Sequence, residues 1–421
     1  MSKDQLYFLL LNIGHFLDHM FTLIFATVAA LALIQEWNIG YAELLVYATP
    51  GFFAFGLFSL PAGWLADKWS RDGMMTVFFF GIGLASILAG FAQTPLQMGI
   101  CLFVVGIFAA IYHPVGLAIV TIKWRNTGMR IATNGVWGNL GVACAALISG
   151  YLIDNGGWRM AFILPGIVSI LVGLVYLSLR YKSINEDHLN SSKPAKQSSR
   201  PQSPGYRALL IRIAAIVFLT TAVSSVIFQS TTFALPKIFD ERLQNLASEL
   251  SAWAHGIAGT EEGDVATVIG MLAFTVFAVA SIAQLIVGRS LDLYGPRIVF
   301  MGVACLQIIF FSLMPGLADG LALAVAFGFM LGAFGQIPIN DYMIAKTASG
   351  SNRARIYGIR YVVSFSVLAV ALPLISFVYQ NWGFDTLFQI LAGAAAVIFV
   401  AVILLPKQMP EPNTAGGAAA R

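Results

Sequence analysis

Histidine, aspartate and asparagine side chains interrupt the first long apolar segment of the chain. Asn12, His15, Asp18, His19 and Thr22 recur at helical spacing and fall within roughly a 120° arc of an α-helix. An ionisable group inside a bilayer is costly, so a polar stripe of this kind must face a water-filled cavity or neighbouring helices. Asp18 and His15 stand about one turn apart, so they can share a proton or a hydrogen bond.

A third histidine, His113, stands near the middle of a later apolar segment, between Tyr112 and Pro114. Proline breaks the backbone hydrogen-bond ladder and frees a carbonyl that a cavity or a side chain must satisfy. Histidine changes its charge near neutral pH, so a buried set of such groups can carry protons. We predict this role for Asp18, His15, His19 and His113.

Two other interpretations of the histidines stay open. The polar residues could form a seam that only holds helices together, with each histidine buried beside a hydrogen-bond partner. Alternatively, His15 and His19, four residues apart on one helix, could bind a metal ion with His113 as a third ligand. The sequence offers no evident fourth ligand, and we predict no resident metal or other cofactor.

Polar residues in the apolar segments of the second half are mostly neutral. Neutral donors and acceptors suit hydrogen bonding to a substrate better than proton transfer. The main candidates are Ser224, Ser225, Gln229, Gln336 and Asn340.

Arg360 is an exception, because a guanidinium keeps its charge when it is buried. It needs an anion, and there are two sources: Asp341 one segment earlier, or an acidic group on a substrate. A permanent pair of Asp341 with Arg360 would act as a structural latch. Both alternatives stay open.

The composition indicates a membrane protein. Of the 421 residues, 58% are hydrophobic and 10% are charged, whereas soluble domains carry roughly 25% charged residues. The net charge of +4 comes from short hydrophilic breaks without interleaved aromatic residues, which argues against nucleic-acid binding. The three cysteines lack metal-ligand spacing. A lipid bilayer is therefore the predicted partner.

Twelve apolar runs are long enough to cross a bilayer as helices, which takes about 20 residues each. They lie near residues 6–34, 44–66, 74–92, 98–122, 131–153, 161–179, 213–235, 265–287, 298–314, 321–345, 356–379 and 387–405. We predict an all-α membrane protein with twelve transmembrane helices. With both termini in the cytoplasm, nearly all Lys and Arg residues fall inside, as the positive-inside rule requires. The predicted location is the cytoplasmic (inner) membrane.

The hydrophilic breaks divide the chain into two bundles of six helices each. We predict an N-terminal bundle at 1–180, a cytoplasmic linker at 181–206, a C-terminal bundle at 207–407 and a disordered cytoplasmic tail at 408–421. The linker is rich in Ser, Pro and Lys and lacks apolar periodicity.

The outer loop near 238–264 carries apolar residues at helical spacing, which predicts a short helix on the membrane surface. These residues are Leu243, Leu246, Leu250 and Trp253. Whether this loop serves as a lid or a partner site stays open.

A motif recurs in the two halves at a constant offset. Gly63 and Asp67 follow the second run, and Gly288 and Asp292 follow the eighth run 225 positions later. Such an offset indicates a six-helix unit used twice, an organisation typical of transporters that alternate access.

The motif and its surroundings resemble a known family. Residues 63–71 (GWLADKWSR), with a weaker copy at 288–297, resemble the signature loop of the major facilitator superfamily, and residues 157–162 (GWRMAF) are also similar to that family. The resemblance covers essentially the whole chain. Residues 112–116 (YHPVG), together with the histidines and aspartate of the first run, resemble the branch of fosmidomycin-resistance-type exporters.

The resemblance implies two pseudo-symmetric six-helix bundles around a cavity that the first, fourth, seventh and tenth spans line. Residues expected to line this cavity are Asn12, Tyr112, Asn134, Asn139, Ser224, Ser225, Gln229, Gln336 and Asn340. The signature loop is expected to act as a conformational latch, and the residues assigned to the latch are Gly63, Asp67, Lys68, Arg71, Arg130, Asp292, Asp341 and Arg360. The sequence departs from the family at Leu102, where many proton-coupled members carry Arg, and at 134–141, which lacks the Pro of many antiporters.

The expected function is secondary active transport of a small organic solute by alternating access, coupled to protons, by a monomer. Export is favoured over uptake by the narrower resemblance. Uptake of a carboxylate, a sugar or a siderophore-like compound is the first alternative. The second is an intramembrane metal-binding protein that uses His15, His19 and His113. The chain lacks the Gly-rich loop of ATP-driven transporters and is not expected to be an enzyme.

Overall fold

The computed structural model describes residues 2–124, 127–187, 204–258, 265–347 and 350–406, and these residues fold almost entirely as α-helices. Local sequence signals begin several of the helices. Ser2 and Gln5 form a capping box at the first helix, in which each side chain bonds the backbone N–H of the other residue. The side chains of Ser70 and Thr94 cap two further helices.

The first half contains six long helices. In chain order they are Lys3–Glu36 (with a π-helical turn at Ala29–Leu33), Tyr41–Lys68, Arg71–Gly90, Pro95–Lys123, Thr127–Gly156 and Met160–Asp187. These are called the first to sixth spans below.

The second half contains four long helical stretches, and two of them bend at a glycine. In chain order the stretches are Pro204–Arg242, Val265–Leu313, Asp319–Thr347 and Gly350–Ile403. Gly295 has φ 76° and Gly383 has φ 74°, a left-handed conformation that favours glycine. Each bend turns the chain back, so these stretches form the seventh to twelfth spans. Ten described helices are long and apolar enough to cross a membrane, and the two bends bring the number to the predicted twelve.

The fourth and tenth spans are each interrupted at the same relative place. The fourth span pauses after Ala109 and resumes at Tyr112, and the tenth pauses at Gln336 and resumes at Ile337. A proline follows each pause, in the first turn of the new helix, where its missing N–H costs little. As a result, His113 in the first half and Asn340 in the second half each lie in the first turn or just after the first turn of the helix that follows the interruption.

The two halves contact each other at one end of the bundle, which the sequence places outside the membrane and which we call the predicted outer end. It includes residues 36–41, 156–160, 238–258 and 376–384. Here Ser376 of the eleventh span donates a hydrogen bond of 2.7 Å to the carbonyl oxygen of Ala42 in the second span. The rings of Tyr41 and Tyr379 pack edge to face beside this bond.

The fifth and eighth spans form a second contact between the two halves. Both the backbone N–H and the hydroxyl of Thr267 donate to Asp154, at 2.7 and 2.6 Å. A Cβ on Gly150 would lie 2.2 Å from the carbonyl oxygen of Ala266, so only glycine allows this approach. Close backbone packing at small residues is a common way for membrane helices to associate.

The helices extend beyond the predicted bundle limits at the linker. The sixth span continues to Asp187 and the seventh begins at Pro204, so both enter the predicted linker of 181–206. The rest of that linker and the predicted tail lie outside the described residues. The predicted helix of the outer loop is confirmed as Gln244–Ala258, with Leu243 buried just before it and Trp253 68% exposed.

Candidate functional site

Glycines on the fifth span bring it close to the polar face of the first span. A Cβ on Gly141 would lie 2.2 Å from the carbonyl oxygen of Phe16. A Cβ on Gly138 would lie 2.7 Å from the ring of His15 and 2.9 Å from the ring of His19. Because both positions lack a side chain, the imidazoles can lie directly against the backbone of the fifth span.

Three histidines meet in this region, two from the first span and one from the fourth. Nδ1 of His15 lies 2.7 Å from the carbonyl oxygen of Asn134, and Nε2 of His15 lies 3.1 Å from Nε2 of His19. A carbonyl can only accept, so His15 donates from Nδ1, and His19 then donates to Nε2 of His15. The ring of His113 stands edge-on to the other two, with centroids 5.3 and 5.4 Å away. One nitrogen of each ring lies within 4.8 Å of one nitrogen of both others.

The carboxylate of Asp18 is buried beside this cluster. Its side chain is 1% exposed, and its Oδ2 lies 3.4 Å from Nε2 of His113. Neither carboxylate oxygen has a hydrogen-bond partner among the described residues. A bare buried carboxylate is unstable, so Asp18 requires a proton or a cation beside it. The nearest histidine is thus His113 and not His15, which the sequence suggested, because the ring of His15 is turned toward Asn134.

A buried hydrogen-bond network of Asn12, Tyr112 and Asn134 lies next to the histidines. The amide of Asn134 donates to Oδ1 of Asn12 and to the hydroxyl oxygen of Tyr112, both at 2.9 Å. The hydroxyl of Tyr112 donates in turn to the carbonyl oxygen of Leu11 at 2.8 Å. The ring of Tyr112 stacks on His15 with centroids 4.8 Å apart. Three predicted cavity residues therefore hold the first, fourth and fifth spans together.

A small cavity lies next to the cluster, between the two halves. Apolar and aromatic side chains dominate its wall, which includes Thr22, Phe25, Phe52, Phe55, Val105 and Phe233. The ring of Phe55 also contacts His113, with centroids 6.0 Å apart. His19 and His113 are partly exposed, whereas His15 is buried. Phe55 thus connects the histidine cluster to the aromatic space.

Three of the predicted cavity residues of the second half, Ser224, Gln336 and Asn340, take part in buried hydrogen bonds. Thr220 of the seventh span donates to Oδ1 of Asn340 at 2.9 Å. The amide of Gln336 donates to the carbonyl oxygen of Ser224 at 3.1 Å, and Gln307 of the ninth span donates to Gln336 at 3.1 Å. Gln307 was not among the residues predicted from the sequence, although a lone glutamine in an apolar segment is a usable signal. Ser225 and Gln229 are partly exposed on the same span as Ser224.

Asn139 lies between the halves. Its amide exchanges hydrogen bonds with Gln284 of the eighth span at 3.1 and 3.4 Å. Gln284 was also absent from the sequence-based set.

The signature loop forms local contacts. Arg71 donates to Asp67 at 2.7 Å, and Nζ of Lys68 lies 4.2 Å from the ring centroid of Trp64. Arg130, the expected partner of Asp67, instead stacks on Phe8 of the first span and on Trp124, which directly follows the fourth span. A Cβ on Gly63 would contact Pro114 at 3.3 Å, so the loop approaches the helix that carries His113.

The remaining predicted latch residues belong to the second half. Asp292 is exposed and Asp341 is half-buried. The side chain of Arg360 lies outside the described residues, so the pairing of Arg360 with Asp341 stays a prediction.

A second buried carboxylate, Asp72, escaped the sequence analysis. Its Oδ1 accepts hydrogen bonds from the hydroxyls of Tyr7 and Tyr176, at 2.7 and 2.6 Å. Its Oδ2 accepts two from the guanidinium of Arg180, at 3.0 and 2.6 Å. This cluster joins the first, third and sixth spans at the end opposite the predicted outer end. Asp72 and Arg180 border hydrophilic loops, where charges are ordinary, so their positions gave no signal.

Comparisons with known proteins indicate one family of membrane transporters. A family model described as Major Facilitator Superfamily matches residues 11–260 and 263–420. The multidrug resistance protein MdtG of Escherichia coli is 24% identical over 375 residues, which are 86% of this chain and 85% of that protein. The puromycin resistance protein pur8 of Streptomyces alboniger is 32% identical over 28% of this chain and 24% of its own length. The gallate transporter of Pseudomonas putida is 24% identical over 33% of this chain and 31% of its own length. The chain thus spans about a quarter to a third of the last two relatives.

Solved structures agree on the fold. The peptide transporter POT in complex with alafosfalin has a TM-score of 0.72 at 14% identity, covering 97% of this chain and 99% of that one. A bacterial homologue of the human lysosomal transporter Spinster, in an inward-facing conformation, has a TM-score of 0.64 at 14% identity. It covers 96% of this chain and 95% of its own.

Proposed function

Because the chain belongs to the major facilitator superfamily, a family of membrane transporters and not of enzymes, we propose that it moves a small organic solute across the membrane by alternating access. The observation that carries this proposal is the buried carboxylate of Asp18 facing His113 beside a space between the two halves. Ionisable groups at such a depth mark substrate or ion pathways by default.

Coupling to protons is part of the proposal. Asp18 has no hydrogen-bond partner among the described residues and lies 3.4 Å from an imidazole, so a proton can bind to either group. The ring of Phe55, which lines the space, contacts His113, so the route of the proton from the space to Asp18 passes beside His113. Asp18 carries the coupling proton, and His15, His19 and His113 relay it or hold it in place.

Export is the favoured direction. The similarity to the multidrug resistance protein MdtG, which extends over most of both chains, supports it. Uptake of an organic acid is the second candidate, and the partial similarity to the gallate transporter favours it. The narrower resemblance to fosmidomycin-resistance-type exporters stays a prediction.

The site residues divide between the halves in this proposal. The cavity residues of the second half, which centre on Gln336, Ser224 and Asn340, supply neutral hydrogen bonds to the substrate. Asn12, Tyr112 and Asn134 hold the histidines in position. The signature loop with Asp67 and Arg71 biases the exchange between the two conformations.

We further propose a monomer in the cytoplasmic membrane, with two bundles at 1–180 and 207–407, and the linker and both termini in the cytoplasm. A cysteine placed at Ser198 in the linker and one placed at Asn381 at the predicted outer end should react with an impermeant maleimide from opposite sides of the membrane. Asn381 is exposed. Labelling of both cysteines from one side contradicts this topology.

Flux into proteoliposomes tests the coupling. The purified protein should accumulate at least one solute of a panel, with puromycin, gallate and niacin as first members, when a pH gradient is imposed. Asp18→Asn removes the titrating carboxylate and keeps its shape. This variant should lose gradient-driven accumulation and keep exchange of substrate at equal concentrations, because exchange needs no net proton movement.

Asp4→Asn is the matched control, since Asp4 is exposed near the start of the same helix and pairs with Lys123 at the surface. It should behave as the wild type. Full gradient-driven accumulation by Asp18→Asn removes Asp18 from the mechanism.

A further inference from the structure

The imidazole rings of His15, His19 and His113 come from two spans yet present nitrogen atoms to one another. The two Nε2 atoms of His15 and His19 are 3.1 Å apart, and a nitrogen of His113 lies within 4.8 Å of each. A tetrahedral Zn²⁺ holds nitrogen ligands at about 2.0–2.1 Å, which puts them about 3.3 Å apart from one another. The histidine pair already has the separation of two ligands on one ion.

The surroundings of the rings orient them as ligands. Nδ1 of His15 donates to the carbonyl oxygen of Asn134, which leaves its Nε2 with a lone pair directed into the cluster. Metal-bound histidines usually donate their second nitrogen to a carbonyl or a carboxylate in this manner. Nε2 of His113 lies beside the carboxylate of Asp18, the other common arrangement. Binding of a metal ion requires one change of tautomer, in which the ring proton of His19 moves from Nε2 to Nδ1.

The charge of Asp18 is the second, independent observation. Its side chain is 1% exposed, and its oxygens accept no hydrogen bond among the described residues. A divalent ion at the adjacent histidines would compensate this charge, and Asp18 would act either as the fourth ligand or as the acceptor that orients His113.

The site borders the aromatic space on one side and the fifth span on the other. The ring of Phe55, which lines that space, contacts His113, so an ion would reach the cluster past Phe55. Gly138 forms the wall behind His15 and His19, where a Cβ would lie within 2.9 Å of both rings.

We propose that His15, His19 and His113 form a binding site, with Asp18 beside them, for one divalent transition-metal ion of the kind that imidazole prefers, such as Zn²⁺ or Co²⁺. The site ties the first span to the fourth. This inference goes beyond solute transport and does not rest on it, because metal binding is measured on the purified protein without flux.

The test uses the full chain in detergent, purified through a tag without histidine and stripped with a chelator. Titration with Zn²⁺ should saturate at about one ion per chain, the number that a single cluster of ligands can hold. Co²⁺ should give the intense visible bands of a four-coordinate tetrahedral site. Because the Co²⁺ spectrum is recorded on the wild type, it decides the matter even where a variant fails to fold. Absence of saturable binding, or only the weak bands of six-coordinate Co²⁺, overturns the proposal.

Variants assign the ion to the cluster. His113→Asn should abolish the visible bands. Asp18→Asn should weaken binding by about 10- to 100-fold, the usual effect of a group that orients a metal-bound histidine. His255→Asn is the matched control, because it removes a histidine of the helix Gln244–Ala258 at the predicted outer end and should leave binding unchanged. Equal affinity in His113→Asn and the wild type, or loss of binding in His255→Asn alone, rules the cluster out.

Discussion

Asp67 and Asp72 lie five residues apart near the loop between the second and third spans, but their surroundings are opposite. Asp67 is 67% exposed and its bond to Arg71 is open to water. Asp72 is 6% exposed and accepts four hydrogen bonds from two tyrosines and Arg180. Water screens the first pair, so it contributes little to stability, whereas removing one partner of the second leaves a charge in the protein interior.

Asp72→Ala should therefore lower the free energy of unfolding by about 3–5 kcal/mol, because Arg180 and two hydroxyls lose their acceptor. Asp67→Ala, the control from the same loop, should change it by about 1 kcal/mol or less. Thermal unfolding of both variants in detergent measures the difference. Equal shifts for the two would show that the Asp72 cluster is not important for stability.

The sequence was sufficient to predict which residues lie together when all of them belong to one helix. Asn12, His15, Asp18 and His19 share a face of one helix, and the spacing is sufficient to show it. The partner of Asp18 was not predictable, because the choice between His15 and His113 depends on how the fourth span rotates against the first. Asp72 gave no signal, since a charge next to a loop is normally solvated.

At the scale of elements, the contact of the first span with the fifth depends on glycines on the fifth. At Gly141 an added methyl group would meet the backbone of Phe16, which cannot move aside as a side chain can. At Gly135, about two turns earlier on the same helix, an added methyl group meets nothing within 4 Å.

Gly141→Ala should destabilise the protein by about 1–3 kcal/mol, the usual cost of overpacking, and should disturb the histidine cluster that this contact supports. Gly135→Ala should be neutral or slightly stabilising, because alanine favours the helix. Thermal unfolding of the two variants gives the comparison. A loss in Gly135→Ala as large as in Gly141→Ala would contradict the role of the close approach.

The spans themselves were predictable because a bilayer sets their length and composition. The pauses in the fourth and tenth spans were only partly so. Pro114 indicated a local break in the helix. The exact position of the break, after Ala109, depends on how the neighbouring spans pack around the fourth span. The bends at Gly295 and Gly383 lie in hydrophilic breaks that already separated these spans in the sequence.

At the scale of the whole molecule, the halves meet at the predicted outer end through the second and eleventh spans. Ser376 and Ala42 join there by a hydrogen bond, and Tyr379 bonds to Glu241 of the seventh span beside them. Transport by alternating access requires these contacts to open, because the space next to His113 must reach the outer side in part of the cycle.

A disulfide between cysteines at Ala42 and Ser376 should stop transport, and a reductant should restore it, because the bond holds the predicted outer end closed. The native cysteines are replaced beforehand; they are Cys101, Cys144 and Cys305. Cysteines at Arg242 and Asp385, which contact each other within the second half, are the matched control. Their oxidation should spare transport. Undiminished flux in the oxidised Ala42–Ser376 protein would show that this end does not open.

The Asp72 cluster also bears on biogenesis. Its carboxylate and its arginine are 108 residues apart, on the third and sixth spans, and one of its tyrosines lies on the first. During synthesis, Asp72 reaches the membrane long before Arg180 leaves the ribosome. The first bundle therefore cannot complete this neutral, hydrogen-bonded group until its last helix arrives. Until then the unpaired charge of Asp72 favours a position of the third helix near water or the insertion machinery. Insertion of the sixth helix brings Arg180 to Asp72 and allows the third helix to pack into the finished bundle.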